Sequence, residues 1–398
     1  MNIITKFVGF FRSQNYILYA TGMWLLSFLI ISGSQKHNNF TYLILLLPTL
    51  LTLQLSEIRK FFQHTIAQWL SACIGFLVLS AYINNGEALS QFKFGLIVLL
   101  FFIAISRLPI ISQPLAEKVC FAFLILIIFY IGLNMAWQSF HGGWEFGNRL
   151  GELSSKLENI NYAATTMGAI SASLLYFWMH QRKFGLSLII LMIVFAIGMT
   201  ILQSRTTLLV AMMIALLFGT QVFMKKEFQS LRNPFLISIA VIILAILLVY
   251  LSPIGESLMA RKTYRLEIWQ GYFLETLKCG AWLGCGNVHD FRYVSHDGIV
   301  MVHPHNIFLT QFYKSGILGF FSLIGLTLSS MYYCFKYCPW IGWYLCVGLV
   351  GLSLDGSSLI HSPSQRWLLF HLPIAILLSQ LLKQSVMSSS NKFSNNSV

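Results

Sequence analysis

The tetrapeptide His303-Pro304-His305-Asn306 sets two imidazoles and a carboxamide at the start of an apolar run, in a chain that is 57 % hydrophobic and only 10 % charged. A histidine titrates near neutrality, so it is a natural group to take a proton from a hydroxyl. Interfacial hydrogen bonding and metal ligation are the alternatives. Metal is the weaker, because Pro304 stiffens the spacing and no Cys or carboxylate set converges on the pair. Arg205, in LQSRTTLLV, lies between two apolar runs, where a charge costs on the order of 3 kcal/mol even on a lenient insertion scale. Acids that could pair with it on the same side are scarce, chiefly Glu87, Asp355 and those of the long loops. An anionic ligand therefore explains Arg205 at least as well as a structural ion pair does. Arg261, Arg265 and Trp269 follow at i, i+4 and i+8, so a helix would carry two guanidinium groups and an indole on one flank. Snorkelling arginines beside an interfacial Trp are the plain alternative.

The elements that hold these residues must be membrane helices. Mean hydropathy is +0.71 over 398 residues, and apolar runs near the ~20 residues needed to cross hydrocarbon recur along the chain. They predict twelve spans, starting near Tyr16, Phe40, Ile66, Phe94, Val119, Tyr162, Phe184, Thr206, Pro234, Ile307, Ile341 and Trp367. Membrane strands would alternate polar and apolar, whereas FLISIAVIILAILLVYL is apolar all round. The fold class is thus an all-α polytopic membrane protein, a single membrane domain over 1–383 with a polar tail over 384–398.

The net charge of +13 follows topology rather than nucleic acid. Lys6, Arg12, Arg59, Lys60, Arg182, Lys183, Lys225 and Lys226 fall on the side of the N-terminus, which the positive-inside rule makes cytoplasmic. Both termini are then cytoplasmic, and the long loops over 134–160 and 252–306 face outward. The second, between the ninth and tenth spans, opens with a helix carrying Leu266, Trp269, Phe273 and Leu277 on one face, fit to lie in the interface. Cys279 and Cys285 share that loop, and their pairing stays open at this point.

His305 and Asn306, followed after nine residues by Gly316 and Gly319, resemble the H-N-x9-G-x-x-G signature of the O-antigen ligase and polymerase superfamily. SRTTLLV resembles its Arg-bearing turn, YRLEIWQ its R-L-x-x-W helix, and WLGCGNVHDF the Gly-x-Gly segment that follows. Ser322 departs from the aromatic or Thr often found three residues after the second Gly.

The resemblance implies a GT-C-like glycosyltransferase of the bacterial inner membrane, inverting and without metal or other cofactor, with its active site facing the periplasm. The donor would be a glycan on undecaprenyl diphosphate and, in the ligase branch, the acceptor lipid A-core oligosaccharide. It implies that Arg205 and Arg265 bind the diphosphate and that His305 is the essential histidine, as a base or as a group that positions the acceptor. Asp355 lies where some members carry a functional acid. Asn306, Arg261, Trp269 and His303 are assigned supporting roles, and Gly316 and Gly319 helix packing. Polymerase and O-linked protein oligosaccharyltransferase are the nearest alternatives; a solute transporter is the more distant one.

Overall fold

The computed structural model describes residues 3–145, 147–252, 255–256, 263–287, 291–295 and 297–394. Arg261 lies outside the described residues. Almost every described element is a helix; the exception is an antiparallel pair that sets Tyr293 opposite Met301 and Val294 opposite Val300.

Among the described residues, seven helices are long and apolar enough to cross a membrane, or eight if Ser34–Leu51 and Leu55–Phe62, bent by 106°, form one span. Twelve spans are not shown by length and composition, because particular helices are too short or too polar. Gln14–Ile30 and Pro339–Asp355 have 17 residues each, a rise of about 25 Å against a hydrocarbon core of about 30 Å. Ile160–His180 carries Asn161, Thr165, Thr166, Ser171 and Ser173, and nearly all of it is buried in protein.

The chain forms two compact units. The first contains Met1–Ile111, Tyr264–Cys338 and Asp355–Val398. Here the long helix Ile307–Tyr337 packs along Thr65–Ile83, and Ala88–Ser106 packs against both Thr65–Ile83 and the C-terminal helix Leu372–Ser394. Close approach is built into the sequence: a Cβ on Gly95 would stand 2.3 Å from Ile74 Cγ2. Trp24, Phe101 and Trp367 form an aromatic core, with centroids 5.1 and 4.6 Å apart. At one end Glu57 accepts from both Arg12 (3.1 Å), which the charge pattern puts on the N-terminal side, and Arg107 (3.0 Å).

Ile307–Tyr337 is broken at Ser315 (φ −137°, ψ 16°) and Gly316 (φ 62°, ψ −160°). The segment around Gly284 fills the gap. The amides of Cys285 and Gly286 donate to the carbonyls of Tyr313 (2.7 Å) and Lys314 (3.2 Å), and the amides of Ile317 and Leu318 donate to those of Ala281 (2.8 Å) and Trp282 (3.3 Å). Backbone groups released by the break are thus satisfied by another backbone, as a low-dielectric surrounding requires. Gly316 has a positive φ, and a Cβ there would stand 2.3 Å from the Trp282 carbonyl. A Cβ on Gly319 would meet Ser315 Oγ at 1.8 Å, within its own broken helix. A disulfide joins Cys279 to Cys285 beside the splice.

The second unit contains Ser112–Thr263 and Pro339–Leu354. Ile160–His180 is its centre, packed by Gln113–Phe140, Phe184–Ala196 and Thr206–Met224. The helix Gln113–Phe140 continues past Asn134 into the segment 134–160. That segment folds onto its own unit, with Leu150, Leu153, Lys156 and Leu157 buried.

Candidate active site

Asn306 caps the helix that follows it. Its backbone is extended (φ −152°, ψ 121°), and its Oδ1 accepts from the amides of Phe308 (2.9 Å) and Leu309 (3.0 Å). The Asn of the His-Asn pair therefore supplies a helix terminus with the acceptor it lacks. His305, immediately before, adopts φ +53°, a left-handed conformation that costs a residue with a Cβ on the order of 1 to 2 kcal/mol.

Two contacts hold this turn in place. His305 Nδ1 lies 3.0 Å from Asp355 Oδ1, with the two side chains 26 % and 11 % exposed. Trp269 Nε1 donates to the Pro304 carbonyl at 2.9 Å. A carboxylate can only accept, so neutral His305 carries its proton on Nδ1 and keeps the lone pair on Nε2. That tautomer is the one able to take a proton at Nε2, and the carboxylate stabilises the imidazolium that results.

The ring of His303 lies 4.2 Å from that of His305, tilted by 35°. Partial burial pushes the His303 pKa down to about 4; the charges of His305 and Arg366 add to this, and Asp355 opposes it. Near pH 7 His303 is neutral.

Arg265 opens the helix Arg265–Cys279, one turn before Trp269. Ile268, Tyr272 and Thr276 on that helix are buried, and Ile268 and Tyr272 pack with Cys285 and Tyr313. Leu266, Phe273 and Leu277 are 77, 47 and 46 % exposed, while Trp269 is half-buried.

Arg205 belongs to the second unit and precedes the helix Thr206–Met224. Gln203 takes φ +43°, and its Nε2 donates to the Gly147 carbonyl at 2.7 Å. Ser204 Oγ donates to Asn161 Oδ1 (2.8 Å), while Arg149 donates to the Leu202 carbonyl (3.3 Å) and to Asn161 (3.4 Å). The segment holding Gly147 and Arg149 therefore braces the turn that carries Arg205.

Within the first unit, His303, His305, Asn306, Trp269 and Asp355 come together through these contacts. Reading by residue type missed Arg366, whose side chain hydrogen-bonds Ser357 and donates to Ser364 (3.0 Å). Its signal was slight: one arginine in SPSQRWLL, just before an apolar run, where snorkelling is the ordinary explanation.

Fold and site together define a polytopic, nearly all-helical membrane protein with a carboxylate-held histidine at a helix start. Residues 188–324 match the model of the family described as Wzy_C, O-Antigen ligase. The match includes Arg205, Arg265, His305, Gly316 and Gly319, whereas Asp355 and Arg366 lie beyond it. An O-antigen ligase of Pseudomonas aeruginosa is 25 % identical over 242 residues, covering 58 % of this chain and 57 % of the relative. The chain thus spans a little over half the length of that curated relative.

Proposed function

We propose that the protein is an O-antigen ligase, transferring O-antigen polysaccharide from undecaprenyl diphosphate to lipid A-core oligosaccharide at the periplasmic face of the bacterial inner membrane. The observation that carries the chemistry is the His305–Asp355 contact at 3.0 Å. His305 Nε2 takes the proton of the acceptor hydroxyl, and the resulting oxygen attacks the anomeric carbon as the bond to the diphosphate breaks, inverting that centre. Arg205 and Arg265 hold the diphosphate and stabilise the charge it gains on leaving. Each charge-assisted hydrogen bond is worth roughly 1.5 to 3 kcal/mol. In this reading the chemistry needs no metal or other cofactor, and the partners are the two glycolipids in a bilayer, with no nucleic acid.

Twelve crossings, cytoplasmic termini and a periplasmic loop over 252–306 belong to the same reading. The Cys279–Cys285 disulfide supports that side for the loop, since disulfides persist in oxidising compartments.

Deleting the gene and resolving lipopolysaccharide on a gel separates the alternatives. Loss of a ligase leaves core without O-chains while polymer accumulates on the lipid carrier; wild-type protein restores the chains and His305→Ala does not. Core carrying a single repeat would point to a polymerase instead. Unchanged lipopolysaccharide with loss of glycan from a protein would point to an oligosaccharyltransferase.

A further inference from the structure

Besides the residues just assigned a role, the first unit gathers two more cations around the histidine pair. Arg366 is fastened by hydroxyls at Ser357 and Ser364, and Ser357 stands two residues after Asp355, the partner of His305. Lys314 lies two helical turns beyond the Asn306 cap, on the last turn before the break, where its carbonyl accepts from Ser80 Oγ (2.7 Å) and from the Gly286 amide (3.2 Å). The backbone at Lys314 is therefore fixed by two other segments. Its half-buried ammonium makes no hydrogen bond or ion pair among the described residues. Lys314 and Arg366 both act electrostatically on His303, and Arg366 acts on Lys314. Among the described residues, the carboxylate that acts on His303 is that of Asp355, which also contacts His305.

A half-buried ammonium without a partner among the described residues is unfavourable until an anion arrives. A guanidinium supplies a planar fork and an ammonium a point charge, a combination suited to the oxygens of one tetrahedral phosphate. We propose that Lys314 and Arg366 form a phosphate subsite beside His305. The inference rests on the glycosyl-transfer reading above. The phosphate belongs either to the donor diphosphate or to the acceptor glycolipid, and in both cases the subsite registers its substrate against His305 Nε2.

The test uses the full-length protein in proteoliposomes with lipid-linked glycan as donor and lipid A-core as acceptor, each varied in turn. Lys314→Met keeps the length of the side chain without its charge, Lys314→Arg keeps the charge, and Arg366→Lys keeps the charge without the fork. The expected result is a KM about tenfold higher for one substrate in Lys314→Met, the order of one lost charge-assisted hydrogen bond. Lys314→Arg should recover most of it, Arg366→Lys should shift the KM of the same substrate, and kcat should change far less. Undecaprenyl diphosphate as a competitor identifies the source. A weakened inhibition constant in Lys314→Met assigns the phosphate to the donor; an unchanged constant with a raised acceptor KM assigns it to the acceptor. KM values for both substrates equal to wild type in Lys314→Met and Arg366→Lys would overturn the subsite, as would a loss confined to kcat. Wild-type protein that transfers no glycan would instead remove the reading on which the subsite rests.

Discussion

The turns that carry Arg205 and His305 are built alike and held differently. Each sits at the start of a long apolar helix and contains a residue with positive φ, Gln203 at +43° and His305 at +53°. The Arg205 turn is braced through its neighbours: Gln203 bonds the Gly147 carbonyl and Ser204 bonds Asn161, both neutral contacts. At the other turn the carboxylate of Asp355 holds one ring nitrogen of His305. A guanidinium stays charged at any relevant pH and needs only to be placed. An imidazole acting as a base must also present the correct nitrogen, and only a hydrogen bond to the other nitrogen decides that. Under the roles proposed above, the two kinds of support match two kinds of task.

The largest effect expected from this contrast is at the arginines. Arg205→Ala and Arg265→Ala should each abolish or nearly abolish transfer while expression persists, and lysine should restore part of it, having charge without the bidentate fork. Full transfer by both lysine variants would show that planar recognition is unnecessary.

Asp355→Asn comes next. It keeps a hydrogen-bonding shape at His305 but permits the opposite tautomer, so transfer should fall by roughly 10² with donor binding unchanged. An equal loss from Asn161→Ala, which removes a neutral brace, would erase the distinction between the two turns.

Gly316→Ala tests the frame beneath His305. The substitution forces a Cβ against the Trp282 carbonyl at a positive φ, and should cost about 1 to 3 kcal/mol of stability, read as a lower melting temperature in detergent.

The smallest effect concerns His303. Its folded pKa, about 4, lies below that of an unfolded histidine. The unfolded chain therefore binds the extra proton first as pH falls from about 6.5, and stability should decline down to about pH 4. His303→Gln should flatten that decline while transfer near pH 7 stays within a modest factor of wild type.

What the sequence revealed, and what it did not, follows from the range of the interactions. His303, His305 and Arg205 stood out because polar chemistry in hydrocarbon needs a reason, and apolar runs located the helices. The break at Ser315 and Gly316 was hidden, since it depends on amides and carbonyls from residues 281–286 some thirty positions earlier in the chain. Small residues spaced three apart, Gly316 and Gly319, read locally as a packing face, and only the partner segment makes the first of them part of a splice. Asp355 was noticed for its place in the chain, but its grip on His305 spans fifty residues. Arg366 resembled an ordinary helix flank for the same reason, because its partners Ser357 and Ser364 carry no pattern of their own. The Cys279–Cys285 pairing, left open by residue spacing, is present in the fold.

The most direct test of the central claim is the transfer rate of His305→Gln in proteoliposomes, with binding of the lipid-linked donor measured on the same preparation. Glutamine can still hydrogen-bond to Asp355 but cannot take the acceptor proton. Transfer is expected to fall by roughly 10² to 10⁴ while donor binding stays at the wild-type level. Glycan transfer at the normal rate would contradict the assignment of His305 as the base.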